Sequence, residues 1–185
     1  MSVSFILLLC LFGCGSDKEE QPPRDAVVSE LNGEASVSQN DEHWDAYEGL
    51  AIMSGDEIEV FSDSDITLLL DEDRHFFADE GSVFSVVFTG KPGKGSMKIL
   101  LKEGVSITGI DSKPKSKDAF ILETPNVTVT AQEKGTVFYS DIRYTDNEQA
   151  TFINVVEGSA EILTVLGGSL RSQILSAGES QTYVG

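Results

Sequence analysis

From Val27 onward the chain alternates apolar and polar positions in short runs cut by Gly, Asp, Asn and Ser, the pattern of many short β-strands. The runs are Ala35-Ser-Val37, Ile66 to Leu70, Ser82 to Phe88, Met97 to Leu101, Val105-Ser-Ile107, Ala119 to Leu122, Val127 to Ala131, Thr136 to Ile142, Phe152 to Val156 and Ala160 to Val165. Past the leader, no stretch holds a helical apolar period over three turns without an internal Gly or Pro. The nearest candidate, Leu163 to Leu175, has Gly167-Gly168 in its middle and reads better as two strands joined by a Gly-Gly turn. Acid-glycine pairs recur before strands: Glu48-Gly49-Leu50, Glu80-Gly81-Ser82, Glu103-Gly104-Val105 and Glu157-Gly158-Ser159. Glycine at these places supplies the positive φ of a tight corner. The expectation is a single all-β domain of many short strands, β-solenoid-like or β-roll-like, with a β-sandwich as the alternative.

The first residues change the picture of where such a domain works. Val3 to Phe12 is an apolar run too short to span a bilayer, which needs about 20 residues, and it reads as a secretion signal. Leu11-Phe12-Gly13-Cys14 has the form of a bacterial lipoprotein box, with Cys14 as the residue to be lipidated. The other reading is an ordinary cleaved signal that happens to contain Cys14. Met1 to Ser4 carries no Lys or Arg, which leaves room for a start upstream. Residues 1–13 are thus expected as signal peptide, 14–26 as lipidated Cys and polar, Pro-bearing tether, and 27–185 as the folded body. Cys10 and Cys14 are the only cysteines, so no disulfide framework is expected.

Charge narrows the partners. Lys and Arg number 13 against 31 Asp and Glu, a net charge of -18. A body this acidic is repelled by phosphate backbones and anionic headgroups, which argues against nucleic acid and peripheral lipid binding. The apolar fraction of 40% is ordinary for a globular domain, so the acidity does not signal disorder.

Residues that could do chemistry are few. His43 and His75 have neither a second His nor a Cys at metal-ligand spacing, and His43-Trp44-Asp45 lacks a nucleophile elbow. Asp63, Asp65, Asp71, Glu72, Asp73, Asp79 and Glu80 form the densest acidic region, yet without EF-hand spacing they read as solvated strand ends. Gly90-Lys91-Pro92-Gly93-Lys94-Gly95 lacks the Gly-Lys-Ser/Thr ending of a phosphate loop and reads as a hairpin tip. No enzyme, cofactor or metal is expected.

One series of motifs runs through the body in order. Trp44, Gly49 and Gly55-Asp56-Glu57-Ile58 are followed by Thr124-Pro125, Val127-Thr-Val129 and Gly135-Thr136-Val137-Phe138. Val155-Val156-Glu157-Gly158-Ser159 and Ala177-Gly178-Glu179 close it. From about Val28 to Val184 the chain resembles the FecR domain of bacterial envelope proteins. It departs from that family at Asp71-Glu72-Asp73, where a glycine tends to follow the aspartate. The resemblance implies a β-solenoid-like domain outside the cytoplasmic membrane that recognises another envelope protein. In the family's regulators the domain receives a signal from an outer-membrane transporter and relays it to a cytoplasmic anti-sigma segment. The sequence shows neither that segment nor a spanning helix, a departure that leaves open whether a role in sigma-factor signalling carries over. Trp44 and Phe138 are expected as apolar fillers and the glycines as turns, making the motif residues architecture.

The expected function is therefore a non-catalytic, lipid-anchored envelope protein that uses its β domain for protein recognition, signal sensing or scaffolding. Its expected partner is another envelope protein, such as the signalling domain of an outer-membrane transporter. Gly15 stands where inner-membrane lipoproteins of many enteric-type bacteria carry aspartate, which favours the outer membrane, facing the periplasm or the cell surface. Two alternatives stay open: a carbohydrate-binding or carbohydrate-cleaving β-helix using acids such as Asp71 or Asp141, and a Ca2+-dependent adhesin built on the region from Asp63 to Glu80. The first is poorly served by aromatics, since Trp44 is the only tryptophan and Tyr47, Tyr139, Tyr144 and Tyr183 are scattered.

Overall fold

The structure, a computed structural model, describes residues 26–71, 73–91, 94–113, 118–145 and 148–184. Cys14, the signal segment and nearly all of the tether lie outside the described residues, as do Glu72, Pro92 and Gly93. No helix among the described residues is long and apolar enough to cross a membrane.

The described chain is all strand and turn. In order, the strands are β1 (Ala26–Asn32), β2 (Ala35–Gln39), β3 (Glu42–Asp45), β4 (Ala51–Ile52), β5 (Glu57–Val60), β6 (Asp65–Leu70), β7 (Arg74–Ala78) and β8 (Val83–Lys91). They continue as β9 (Lys94–Ile110), β10 (Asp118–Glu123), β11 (Val127–Ala131), β12 (Thr136–Thr145), β13 (Glu148–Glu157), β14 (Ser159–Leu166), β15 (Ser169–Ser176) and β16 (Ser180–Val184). The expected single all-β domain of many short strands is what folds.

Two branches of one open sheet share β9. One runs β4-β1-β6-β7-β9-β12-β13-β16, the other β3-β2-β5-β8-β9-β10-β11-β14-β15. All these ladders are antiparallel except β9 with β10. The sheet is therefore mixed and folded on itself, and coil-by-coil parallel stacking of a solenoid does not appear among the described pairings.

Alternation explains which face goes in. In β6, Ile66, Leu68 and Leu70 are fully buried while Thr67 and Leu69 are half-buried. Phe76 of β7 and Phe84 of β8, on different branches, meet edge-to-face with ring centroids 4.8 Å apart. The branches thus close over one apolar cluster that also holds Val37, Ile58, Ile99, Leu122, Phe138 and Ile162.

β9 corrects two expectations. Met97 to Leu101 and Val105 to Ile107 belong to one strand, and Glu103-Gly104 does not begin it. Gly104, at φ 89°, lies inside the strand, where the register against β8 slips so that Val83 faces Glu103 and Phe84 faces Leu101. Before the slip Met97, Ile99 and Leu101 point inward; after it Ser106, Thr108 and Ile110 do, and Ile107 is exposed. One extra residue flips the side chains to the opposite face, which is how a single strand serves both branches. The hydroxyls of Ser106 and Thr108, with Ser140 of β12, are buried without a hydrogen bond.

The expected Gly-Gly hairpin is present. Leu166 pairs with Ser169, and Gly167 and Gly168 have φ of 57° and 78°, the two positive values of a type I′ turn. Lys91 likewise pairs with Lys94 around the expected Gly90 to Gly95 tip.

Candidate functional site

The motif residues sit at corners and in the core. Trp44 of β3 lies opposite Val37 and packs against the apolar cluster while partly exposed; Phe138 and Ile58 are wholly buried. Gly49, at φ 86°, donates its N–H to the Val28 carbonyl, and Gly55, at φ 101°, donates to Val86. Asp56 is buried beside it, and its carboxylate accepts the Met53 N–H at 2.7 Å. Burial pushes the Asp56 carboxyl above the usual aspartate range, with the Met53 hydrogen bond pulling less strongly the other way.

Thr124 and Pro125 form the turn between β10 and β11. The Thr124 N–H donates to the Val127 carbonyl, the Val127 N–H donates to Thr124 Oγ1, and the Thr124 hydroxyl lies 3.0 Å from that of Thr151 on β13. Asn126 donates to the Gln149 carbonyl, so the turn is tied across to the other branch.

Gly135, Thr136 and Gly158 converge at one corner. Thr136 is buried and its hydroxyl reaches the carbonyls of Glu133 at 2.8 Å and Ser159 at 3.1 Å. Gly158, at φ 70°, lies so close that a Cβ there would come within 2.6 Å of Thr136 Oγ1. The Gly158 carbonyl accepts the Ala177 N–H, and Gly178 donates to Val155, joining the last motif to the same corner.

The same device occurs twice elsewhere, unannounced by the motif series. A Cβ on Gly104 would come within 2.4 Å of Ser82 Oγ, and one on Gly33 within 2.2 Å of Ser64 Oγ. Each buried hydroxyl then ties down a neighbouring segment: Ser82 gives to and receives from Val105 of β9, and Ser64 receives the N–H of Glu34 in the turn between β1 and β2. For Ser82 the signal was its place directly after Glu80-Gly81; Ser64, between Asp63 and Asp65, adjoins no acid-glycine pair and carried no such signal.

The acidic region is divided among separate tasks. Glu80 accepts the Asp63 N–H, Asp65 accepts from Asn32, and Asp79 accepts the Glu80 N–H. Asp71 and Asp73 turn toward Arg74, a residue the sequence reading passed over. Arg74 is buried in β7, 3.2 Å from Asp71 Oδ2, 3.1 Å from Asp118 Oδ2 and 3.7 Å from Asp73 Oδ1. Arg74 and Asp118 line a cavity of about 380 Å3 together with Ile110, Phe120, Gln132 and Glu161. Among the described residues no three His, Cys, Asp or Glu gather as a metal site.

His43 is exposed on β3, and the exposed His75 lies 3.5 Å from Asp111. Asp141 is buried and accepts from Arg143 Nε at 2.5 Å and from the Tyr139 hydroxyl at 3.2 Å. Burial, then Asp141, holds the Tyr139 phenol above its ordinary value. Asp71, in the turn between β6 and β7, and Asp141, on β12, are each already engaged by an arginine.

The sheet's ends complete the geometry. β3, with Glu42 and Asp45, and β4, two residues long, end the two branches on one side. β15 and β16 end them on the other, and neither contains an Asp or Glu. Val165, Leu170 and Ile174 on the outer face of the β14–β15 hairpin are 65%, 70% and 60% exposed.

No family model matches the chain, and no curated protein matches it. Two crystal structures of a candidate anti-sigma factor from Parabacteroides distasonis are similar, at TM-scores of 0.47 and 0.48 and 17% identity. Each alignment covers 69% of this chain and 59% of the solved one, so the chain spans under two thirds of those proteins.

Proposed function

We propose that this protein is a non-catalytic recognition module of the bacterial envelope, with a FecR-like β domain held to a membrane through lipidated Cys14 and binding another envelope protein by strand addition. The observation that carries the reading is the asymmetry of the sheet's ends. Natural proteins blunt exposed edges with charge or brevity, as β3 and β4 do, whereas β16 carries no charged residue and β15 only Arg171 beside exposed apolar side chains. An edge of that kind suits main-chain pairing with an added strand. The motif series supports the family side of the reading, since its glycines, Thr136 and Phe138 serve corners and core and leave the edges to vary. The lipid box supports the anchor. The strong acidity favours a partner whose docking face is cationic.

The test is affinity capture of the tagged full-length chain from crosslinked cells, with Cys14→Ala alongside. Recovery of an envelope protein that is lost with Cys14→Ala is expected. Recovery of nothing by a correctly lipidated chain would overturn the proposal.

A further inference from the structure

β15 offers more than a generic edge. Its hairpin is closed by a two-residue turn, so Leu166 and Ser169 form a hydrogen-bonded pair and every second pair after it does too. Ser169, Arg171, Gln173 and Leu175 therefore spend their N–H and C=O groups on β14. Leu170, Ser172 and Ile174 aim theirs at the free side, where no described strand pairs.

The strand reads Ser-Leu-Arg-Ser-Gln-Ile-Leu-Ser. Rotated about Ser172 it is complementary to itself: in an antiparallel pair Ser172 faces Ser172, Leu170 faces Ile174 and Arg171 faces Gln173. That register places the outward N–H and C=O groups of each strand against those of the other. It also lines Val165 and Leu170 up with Ile174 of the second copy, so the exposed apolar side chains form one row across the junction. Within the paired strands no like charges face each other, and in a body of charge -18 the eight residues of β15 carry no acid of their own. The nearest carboxylate is that of Glu161 on β14, which accepts the Ser172 hydroxyl at 2.5 Å and so lies beside the axis.

We propose that β15 pairs antiparallel with β15 of a second copy, centred on Ser172, to give a two-fold symmetric dimer. The inference shares with the proposed function the premise that free edges are contact surfaces, but needs neither the lipid nor an envelope partner. One ladder buries an area at the low end for specific interfaces, so the dimer is weak and reversible. Salt strengthens it by screening the repulsion between two acidic bodies, the opposite of what salt does to a cationic partner on an acidic surface.

The test is disulfide trapping in the full chain. Ser172→Cys, Leu170→Cys and Glu42→Cys are produced singly, membranes are treated with a mild oxidant, and products are resolved without reductant; the unmodified chain sets the baseline from Cys10 and Cys14. Two Ser172→Cys thiols fall within disulfide reach, whereas two Leu170→Cys sites lie roughly four residues apart along the pair and do not. A linked species of twice the mass is expected for Ser172→Cys, at least about fivefold above the other two. Its yield should rise with salt and collapse when Ile174→Lys is added. Equal linking at Ser172→Cys and Leu170→Cys, no linking above Glu42→Cys, or linking only to a different protein would each overturn the dimer. Envelope-protein capture that survives such a result leaves the proposed function standing.

Discussion

A residue in this fold is chosen for the space above it as much as for its own chemistry. Gly158 and Gly178 both have positive φ, at 70° and 85°, yet only Gly158 lies against a neighbour, the buried Thr136. Gly158→Ala should cost about 2–4 kcal/mol of stability, from backbone strain plus the clash, and Gly178→Ala about 1 kcal/mol, from strain alone. Denaturant melts of the two variants check this, and equal losses would refute the corner described. Asp56 gives a pH signature. Its folded pKa is raised above the ordinary 3.8, so the stability gained from the protonated form is present below that value and lost as pH rises through the folded pKa. Asp56→Asn retains an acceptor for the Met53 N–H and removes this loss. Its melting temperature relative to the parent chain should climb between about pH 3 and about pH 7. A constant difference would show that Asp56 does not titrate as described.

At the scale of elements, legibility followed alternation. β6, β8, β11 and β14 are plain in the sequence because apolar residues fall on every second position and face one core. β5, Glu57–Val60, is masked by acids on its outer positions, β4 is too short to show a period, and β7 begins with a buried arginine. Arg74 was nonetheless in phase with the inward Phe76 and Ala78, and its acidic neighbours read as solvated because nothing local reveals that Asp118 comes to meet them. The bend in β9 was equally hidden, since Val105 and Ile107 continue an apolar pattern that the slip at Gly104 turns outward. Of the candidate site, the motif glycines were legible, being turn residues, whereas the unguarded edges emerge only once pairing shows which strands are last. Because the acids from Asp63 to Glu80 already serve backbone N–H groups, Asn32 and Arg74, millimolar calcium should leave the melting temperature unchanged. A calcium-dependent rise would restore the adhesin reading.

At the scale of the molecule, charge and edges oppose each other. A net charge of -18 repels both within the body and between bodies. Raising salt from about 20 mM to about 500 mM should therefore raise the melting temperature by about 3 °C or more, as screening relieves that repulsion. No change would mean that the acids are already balanced locally. The open sheet leaves association to its two unguarded strands. The most direct measurement is a scan with a photoactivatable phenylalanine placed singly at Thr182 on β16, Ser172 on β15 and Glu42 on β3 of the full-length chain, irradiated in cells. The account predicts an adduct with another envelope protein at Thr182, an adduct of twice the chain's mass at Ser172, and neither at Glu42. Adducts of equal yield at all three positions, or none at Thr182 and Ser172, would contradict the claim that the acid-free edges are where this protein meets its partners.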